Sequence, residues 1–531
     1  MRTRKYSPHA PKALLSKTRR LHLLAFTLLP SAFLLGNSLA QAETRVFVQN
    51  NTPHLFTVDS SQTGAALDRG RWRQLVTVVE PAARTEVIRF NRDEGIRKHK
   101  IFVFLTRLNL TIKAIGRDSS AHGMIQLRQQ LRGSDVNSHM WQSLAGSGFE
   151  DPWFDDRQTH RASWNVAGHN IEIKYRAFFT GTDDNVEYVL NELHPVPAGD
   201  SDTLNILTYN LYMRPPPFLN GQLIRAQLLP ERLHGYDVIV FQEAFDYLPR
   251  RILLQRLAME YPYQTNVVGS NRQSVVQSNG GVVIVSRWPI EGTPSYYVYK
   301  ACHGIDCRAA KGVIYARIIK EGKRHYHIFG THMQADDNGS ARRERSKQFK
   351  ELKDFIHSKS ISQFEPVLIA GDLNVNSVKD QAEYQLMLDK LDAGHPVRVP
   401  TVGFPFSHDG KTNSLADGDR SNLDYVLYSK KHLRPIDSPS DSYNEVRIIR
   451  SNEEWKELGF EHAYWDLSDH YPVLGHYRFQ FVPSTVGAVT SAPVMPQSSP
   501  TSHKLAKPLP KKVQPRPTLM PAAPTGKHGQ H

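Results

Sequence analysis

The chain has 531 residues, 40% hydrophobic and 22% charged, a globular balance with length for two or three domains. Its net charge of +14 resembles the footprint of a nucleic-acid-binding protein, but the distribution argues otherwise. Residues 1–42 hold seven basic and no acidic side chains, residues 481–531 hold six and none, and +1 is left for everything between. A near-neutral body lacks the basic face that DNA phosphates require, so no nucleic-acid partner is expected.

In chain order, basic residues first precede the apolar stretch Leu21–Leu35, and Ala40-Gln41-Ala42 fits a small-x-small cleavage site. The stretch is short for a membrane span and contains Pro30. Residues 1–42 therefore read as a signal peptide. The mature protein is expected to be soluble and exported to the periplasm or the medium.

Residues 43–195 read as a β-rich accessory domain without a catalytic constellation. Ile171, Ile173, Tyr175 and Ala177 alternate with Glu172, Lys174 and Arg176, the pattern of a half-buried strand. Lys98–Leu105 and Leu110–Ile115 read as two further strands. The Pro/Gly/Asp-rich run His194–Asp202 reads as a linker. From 203 to 482, buried strands alternate with helical stretches such as Arg342–His357, an α/β pattern. Beyond it, 483–531 is rich in Pro, Ser, Thr, Ala and Lys, and reads as a disordered basic tail. Cys302 and Cys307 are the two cysteines. They either close one small disulfide loop, as export favours, or stay thiols if short-loop geometry forbids the bond.

The strands of the 203–482 region end in residues suited to phosphate-ester chemistry. Glu243 follows the run Asp237–Phe241, where a carboxylate is costly unless paired or metal-bound. Mg²⁺ takes oxygen ligands and keeps waters, so one carboxylate plus a substrate phosphate suffices; a salt-bridged or capping Glu is the plainer alternative. Asp372 and Asn374 follow Val367–Gly371. On an extended segment their spacing points both to one side, although an Asx turn closing the strand also accounts for them. His470 follows Ser468-Asp469 and is the candidate base, and a neighbouring carboxylate can orient its ring. His332, after Ile328–Gly330, is the second candidate, as acid or positive stabiliser. Gly410-Lys411-Thr412 is not a phosphate loop, because Pro405 stands where that motif needs Gly.

Together, Asp237–Phe245 (DVIVFQEAF), Gly330–Gln334 (GTHMQ), Leu368–Asn374 (LIAGDLN), Asn422–Tyr425 (NLDY) and Ser468–Pro472 (SDHYP) resemble the endonuclease/exonuclease/phosphatase superfamily. Tyr209–Pro215 (YNLYMRP), Gly221-Gln222 with Arg225-Ala226, Gly280–Ile290 (GGVVIVSRWPI), Lys311-Gly312-Val313 and Thr412–Ala416 (TNSLA) resemble its bacterial secreted sphingomyelinases. The resemblance implies a four-layer α/β/β/α (DNase I-like) sandwich and Mg²⁺-dependent hydrolysis of sphingomyelin, with Mn²⁺ or Co²⁺ as alternative ions. It further implies a monomer working on a membrane surface. Carried over by position, Glu243 binds the metal with Asn210 close by. His470 activates water, oriented by Asp469, and Asp372 and Asn374 position water and phosphate. His332 stabilises the developing charge and Asp424 supports the site. A membrane-dipping aromatic loop corresponds to Phe460, Tyr464 and Trp465, for which ordinary packing is the alternative. The chain departs from the pattern at Gln242, where Asn is common, and in the paired-cysteine loop and large N-terminal unit. Competing readings are a phosphoinositide phosphatase, a nuclease of the same superfamily, and a lytic toxin without turnover.

Overall fold

The computed structural model describes residues 43–481, apart from 65–71, 92–101, 113–122, 134–137, 147–148, 151–153, 155, 167, 181–182, 215–219, 271–277, 399–403, 437–444, 451 and 457–462. The segments read as a signal peptide and as a basic tail, and Phe460, lie outside these residues.

The N-terminal region is built from two six-stranded sheets. One contains His160–Val166, His169–Thr180, Asp183–Glu192, Glu43–Asn50, Arg84–Asn91 and Trp72–Gln74 in that spatial order. The other is centred on Phe56–Gly64, Phe102–Ile112 and Met124–Gly133. Alternation drives the assembly: Ile171, Ile173, Tyr175 and Ala177 are buried, as their spacing predicts, in one core with Val46, Phe56, Leu108 and Leu127. The two strands expected at Lys98–Leu105 and Leu110–Ile115 are instead one, Phe102–Ile112. Its polar middle does not end it, because Asn109 accepts a hydrogen bond from Gln126 of the next strand at 3.1 Å.

The region from Thr203 is a four-layer α/β/β/α sandwich. A seven-stranded sheet has Val238–Ala244, Thr203–Met213 and Val473–Arg478 at its centre. A six-stranded sheet has Arg324–His332, Val367–Asp372 and Asp424–Ser429 at its centre. Ile206, Val240 and Ile284 of the first meet Ile314, Ile328, Leu368 and Val426 of the second between the sheets. On the outer faces, Ala226, Leu253 and Leu257 from helices Gln222–Leu228 and Tyr247–Leu257 cover the first sheet. Phe349, Leu352, Met387 and Leu391 from Gly339–His357 and Gln381–Leu391 cover the second. The helix expected from Arg342 starts three residues earlier, because Asn338 accepts hydrogen bonds from Ser340 and Ala341 N–H and caps it.

This topology gathers the polar strand ends. Thr203–Met213 runs parallel to Val238–Ala244, and Arg324–His332 parallel to Val367–Asp372. The C-terminal ends of all four therefore lie at one rim. Asp424 enters the same rim opposite Asp372 in the antiparallel register. Against the accessory sheet, the strand Asn452–Lys456 makes ion pairs, Lys174 Nζ to Glu453 at 2.6 Å and Arg176 to Glu454 at 3.0 Å, while Arg232 of the catalytic region also pairs with Glu453 at 2.6 Å. No helix among the described residues is long and apolar enough to cross a membrane.

Candidate active site

Three side chains reach the rim from strained backbone. Tyr212, Glu243 and Asn374 have φ of 52°, 53° and 54°. Positive φ costs an L-residue energy, and such outliers concentrate at functional sites. At Glu243 the turn is permitted by Gly281, whose absent Cβ would lie 3.1 Å from the Glu243 Cα. Asn374 thus arrives by a left-handed turn and not along the extended segment the spacing suggested. Its N–H donates to Asp372 Oδ1 at 3.0 Å, the Asx turn that was the alternative, while its Nδ2 donates to the Met333 carbonyl at 3.1 Å.

His470 is buried, and its Nδ1 pairs with Asp424 Oδ2 at 2.7 Å. Asp469, expected to orient the ring, does not take this bond; Asp424 does. The cause is cross-strand register, which sequence adjacency does not report. Asp469 lies on another side, with His408 and His470 ligand atoms within 4.8 Å. Burial opposes charge on His470, but Asp424, Asp469 and Asp372 outweigh it and raise its pKa well above the ordinary value. His332 is opposite in character. Burial, then Lys311 and His470, push its pKa well down, so the ring is held neutral and not as a standing positive charge. Its Nε2 is 3.6 Å from Asp372, and its Nδ1 finds no hydrogen-bond partner among the described residues. Burial and the Asp424 charge raise Asp372 to about 6. Burial also raises Asp469 to about 6.

The candidate metal ligands fit a hard cation. Glu243 Oε2 is buried with no hydrogen-bond partner among the described residues. Burial raises the Glu243 pKa, against the pull of Lys311 and His470, so the carboxylate calls for a cation. Asn210 is beside it, donating to Asp372 at 3.1 Å and accepting from Tyr212 N–H at 3.1 Å. Gln242, the departure from the common Asn, points instead to Thr208 and the Val240 carbonyl.

Lys311 and Arg225 were not assigned roles from sequence. Lys311 Nζ donates to Asp306 and the Met333 carbonyl, both at 2.8 Å, and its charge acts on Glu243, Asp372 and His332. Cys302 and Cys307 are disulfide-bonded and bracket Asp306. Arg225 is buried and donates to the Leu211, Tyr212 and Leu467 carbonyls, tying the end of Thr203–Met213 to the approach to His470. It is a buried Arg in the last turn of a short helix. Tyr464 stacks on Trp455 with centroids 4.6 Å apart, and Trp465 lines a cavity with Lys174 and Tyr175. Both occupy half-buried packing positions.

A profile of the Endonuclease/Exonuclease/phosphatase family matches residues 207–470. Sphingomyelinase C of Leptospira interrogans is 40% identical over 296 residues, 51% of each chain. Sphingomyelinase C of Bacillus cereus is 34% identical over 335 residues, 57% of this chain and 95% of that protein. The chain belongs to the sphingomyelinase C family of this superfamily. It spans about half the length of the Leptospira relatives it matches. Among solved structures, sphingomyelinase C from Streptomyces griseocarneus is 33% identical, covering 52% of this chain and 99% of that one, with a TM-score of 0.47. A Staphylococcus aureus beta toxin solved with bound magnesium ions is 32% identical over similar shares, with a TM-score of 0.46.

Proposed function

We propose that this chain is an exported, Mg²⁺-dependent sphingomyelin phosphodiesterase that releases phosphocholine and leaves ceramide. The observation that carries the reading is the meeting at one rim of the Asp424–His470 pair and Glu243, whose buried Oε2 has no hydrogen-bond partner among the described residues. Membership of the sphingomyelinase C family supports the substrate class, and a disulfide supports export to an oxidising compartment.

A divalent cation held by Glu243 and Asn210 would supply positive charge to the phosphoryl oxygens. In its neutral form, His470 accepts the proton of the attacking water at Nε2 while Asp424 fixes the Nδ1–H tautomer. Asp372 and Asn374 position water and phosphate. Neutral His332 offers an N–H to the leaving ceramide oxygen. Lys311 adds fixed positive charge nearby.

The test is phosphocholine release from sphingomyelin vesicles, with Mg²⁺ and with EDTA, beside vesicles of phosphoinositides and a DNA substrate. Mg²⁺-dependent release from sphingomyelin is expected, with Glu243→Ala and His470→Ala each abolishing it in a folded protein. Release from phosphoinositide alone would reassign the substrate. Full activity in either variant would remove that residue from the site.

A further inference from the structure

Away from the rim, the accessory region holds a second cluster of ligand-type side chains. His54 Nε2 lies 2.8 Å from Glu192 Oε2, and His169 Nδ1 lies 2.9 Å from Glu192 Oε1. The ligand atoms of all three lie within 4.8 Å of one another, and the two imidazole centroids are 4.0 Å apart. Both rings thus turn a nitrogen toward the same carboxylate. The group is built into the fold: the His54 side chain is 11% exposed and that of Glu192 4%. His54 sits on a loop fastened by Asn50, whose Nδ2 donates to the His54 carbonyl at 2.7 Å, and by Thr52 Oγ1, which accepts from His54 N–H at 3.1 Å.

A third imidazole is near the cluster. His194 follows Glu192 by two residues, and Leu193 between them still bonds to the Asn170 carbonyl at 2.7 Å, so the strand direction continues and both side chains share a face. His194 Nε2 is buried with no hydrogen-bond partner among the described residues. Glu192, His54 and His169 all act on it electrostatically.

We infer that His54, His169 and Glu192 form a transition-metal site of the Zn²⁺ class, with its fourth position left to His194 or water. Two imidazoles and a carboxylate suit Zn²⁺, whereas Mg²⁺ takes oxygen ligands and belongs at Glu243. Three segments meet at the site: the loop after Glu43–Asn50, the start of His169–Thr180 and the end of Asp183–Glu192. An ion here fastens the accessory sheet where the chain leaves it for the catalytic strands. Its role is structural and separate from turnover.

The test is zinc content of the purified mature protein after EDTA dialysis, zinc loading and removal of excess metal, with the thermal midpoint as second readout. Wild type and Glu243→Ala are both expected to retain one equivalent of Zn²⁺ and to gain thermal stability from it. The His54→Ala/His169→Ala double variant is expected to lose both while keeping its far-ultraviolet circular dichroism. If the double variant does not fold, His169→Gln, at the more exposed ligand, is expected to weaken Zn²⁺ binding by about tenfold or more. Co²⁺ loading then reports imidazole ligation by its visible spectrum. No zinc in the wild type, or equal zinc in wild type and ligand variants, would overturn the site. Loss of zinc from Glu243→Ala alone would place the ion at the rim.

Discussion

His470 lies between Asp424 and Asp469, and the two carboxylates act on it differently. Asp424 holds the ring nitrogen at 2.7 Å, whereas Asp469 acts through its charge. Asp424→Asn should lower kcat by about a hundredfold to ten-thousandfold, because the amide no longer enforces one tautomer. The sign of its pH effect is also fixed. The Asp424 charge raises the His470 pKa, so removing it lowers that pKa, and the acid limb of the pH–rate profile should move to lower pH. A limb that stays in place would belong to another group. Glu243 and His470 were legible in the sequence because a carboxylate and an imidazole directly beside apolar strand runs are costly. The identity of the orienting carboxylate was not, since it depends on Asp372 facing Asp424 across two strands separated by more than fifty residues.

The disulfide loop and the strand Asn452–Lys456 each have a separable job. Asp306, bracketed by Cys302 and Cys307, receives Lys311 Nζ at 2.8 Å and Ala335 N–H at 2.7 Å. Opening so short a loop by Cys302→Ser/Cys307→Ser should cost about 2 kcal/mol, measured by urea denaturation. Lys311 would also lose a fixed anchor, so kcat should fall with the stability; an unchanged kcat would confine the loop to a stabilising role. Along Asn452–Lys456, Glu453 serves both Lys174 and Arg232 and keeps 21% exposure. Glu453→Gln should therefore cost about 1–2 kcal/mol, less than a sealed ion pair, with hydrolysis of a soluble phosphocholine ester unaffected. The same urea titration checks it. The Cys302–Cys307 bond was one of the two alternatives the sequence offered, but the ion pairs were not legible beforehand. Lys311 appeared only within a family motif, and the partner of Glu453 is nearly 280 residues away.

At the scale of the whole molecule, buried histidines set the acid limit of the catalytic sandwich. Burial lowers His327 to about 4, against the pull of Glu365. Burial with Arg447 and Arg478 lowers His476 to about 4. A depressed histidine contributes its full stability above its unfolded pKa near 6.5, and loses it as pH falls through the folded value. The denaturation midpoint should therefore decline between pH 6.5 and 4. His327→Gln should flatten part of that decline, and an unaltered profile would assign the acid sensitivity elsewhere. The α/β class was readable because continuous apolar strand runs alternate with helical stretches, whereas the four layers were implied by the family resemblance. The pairing of the accessory region was less so: Glu43–Asn50 runs parallel to Asp183–Glu192, its far end in sequence. Nothing local in either segment specifies such a partner.

The left-handed backbone at Glu243 sets chemistry against durability. Glycine occupies that conformation without penalty, and it would bring no carboxylate to the rim. Glu243→Gly should therefore melt at a higher temperature than the natural chain while turning over nothing. Selection for heat resistance alone would drift toward a sturdier, inert protein, and only a continuing demand for turnover keeps glutamate at this position.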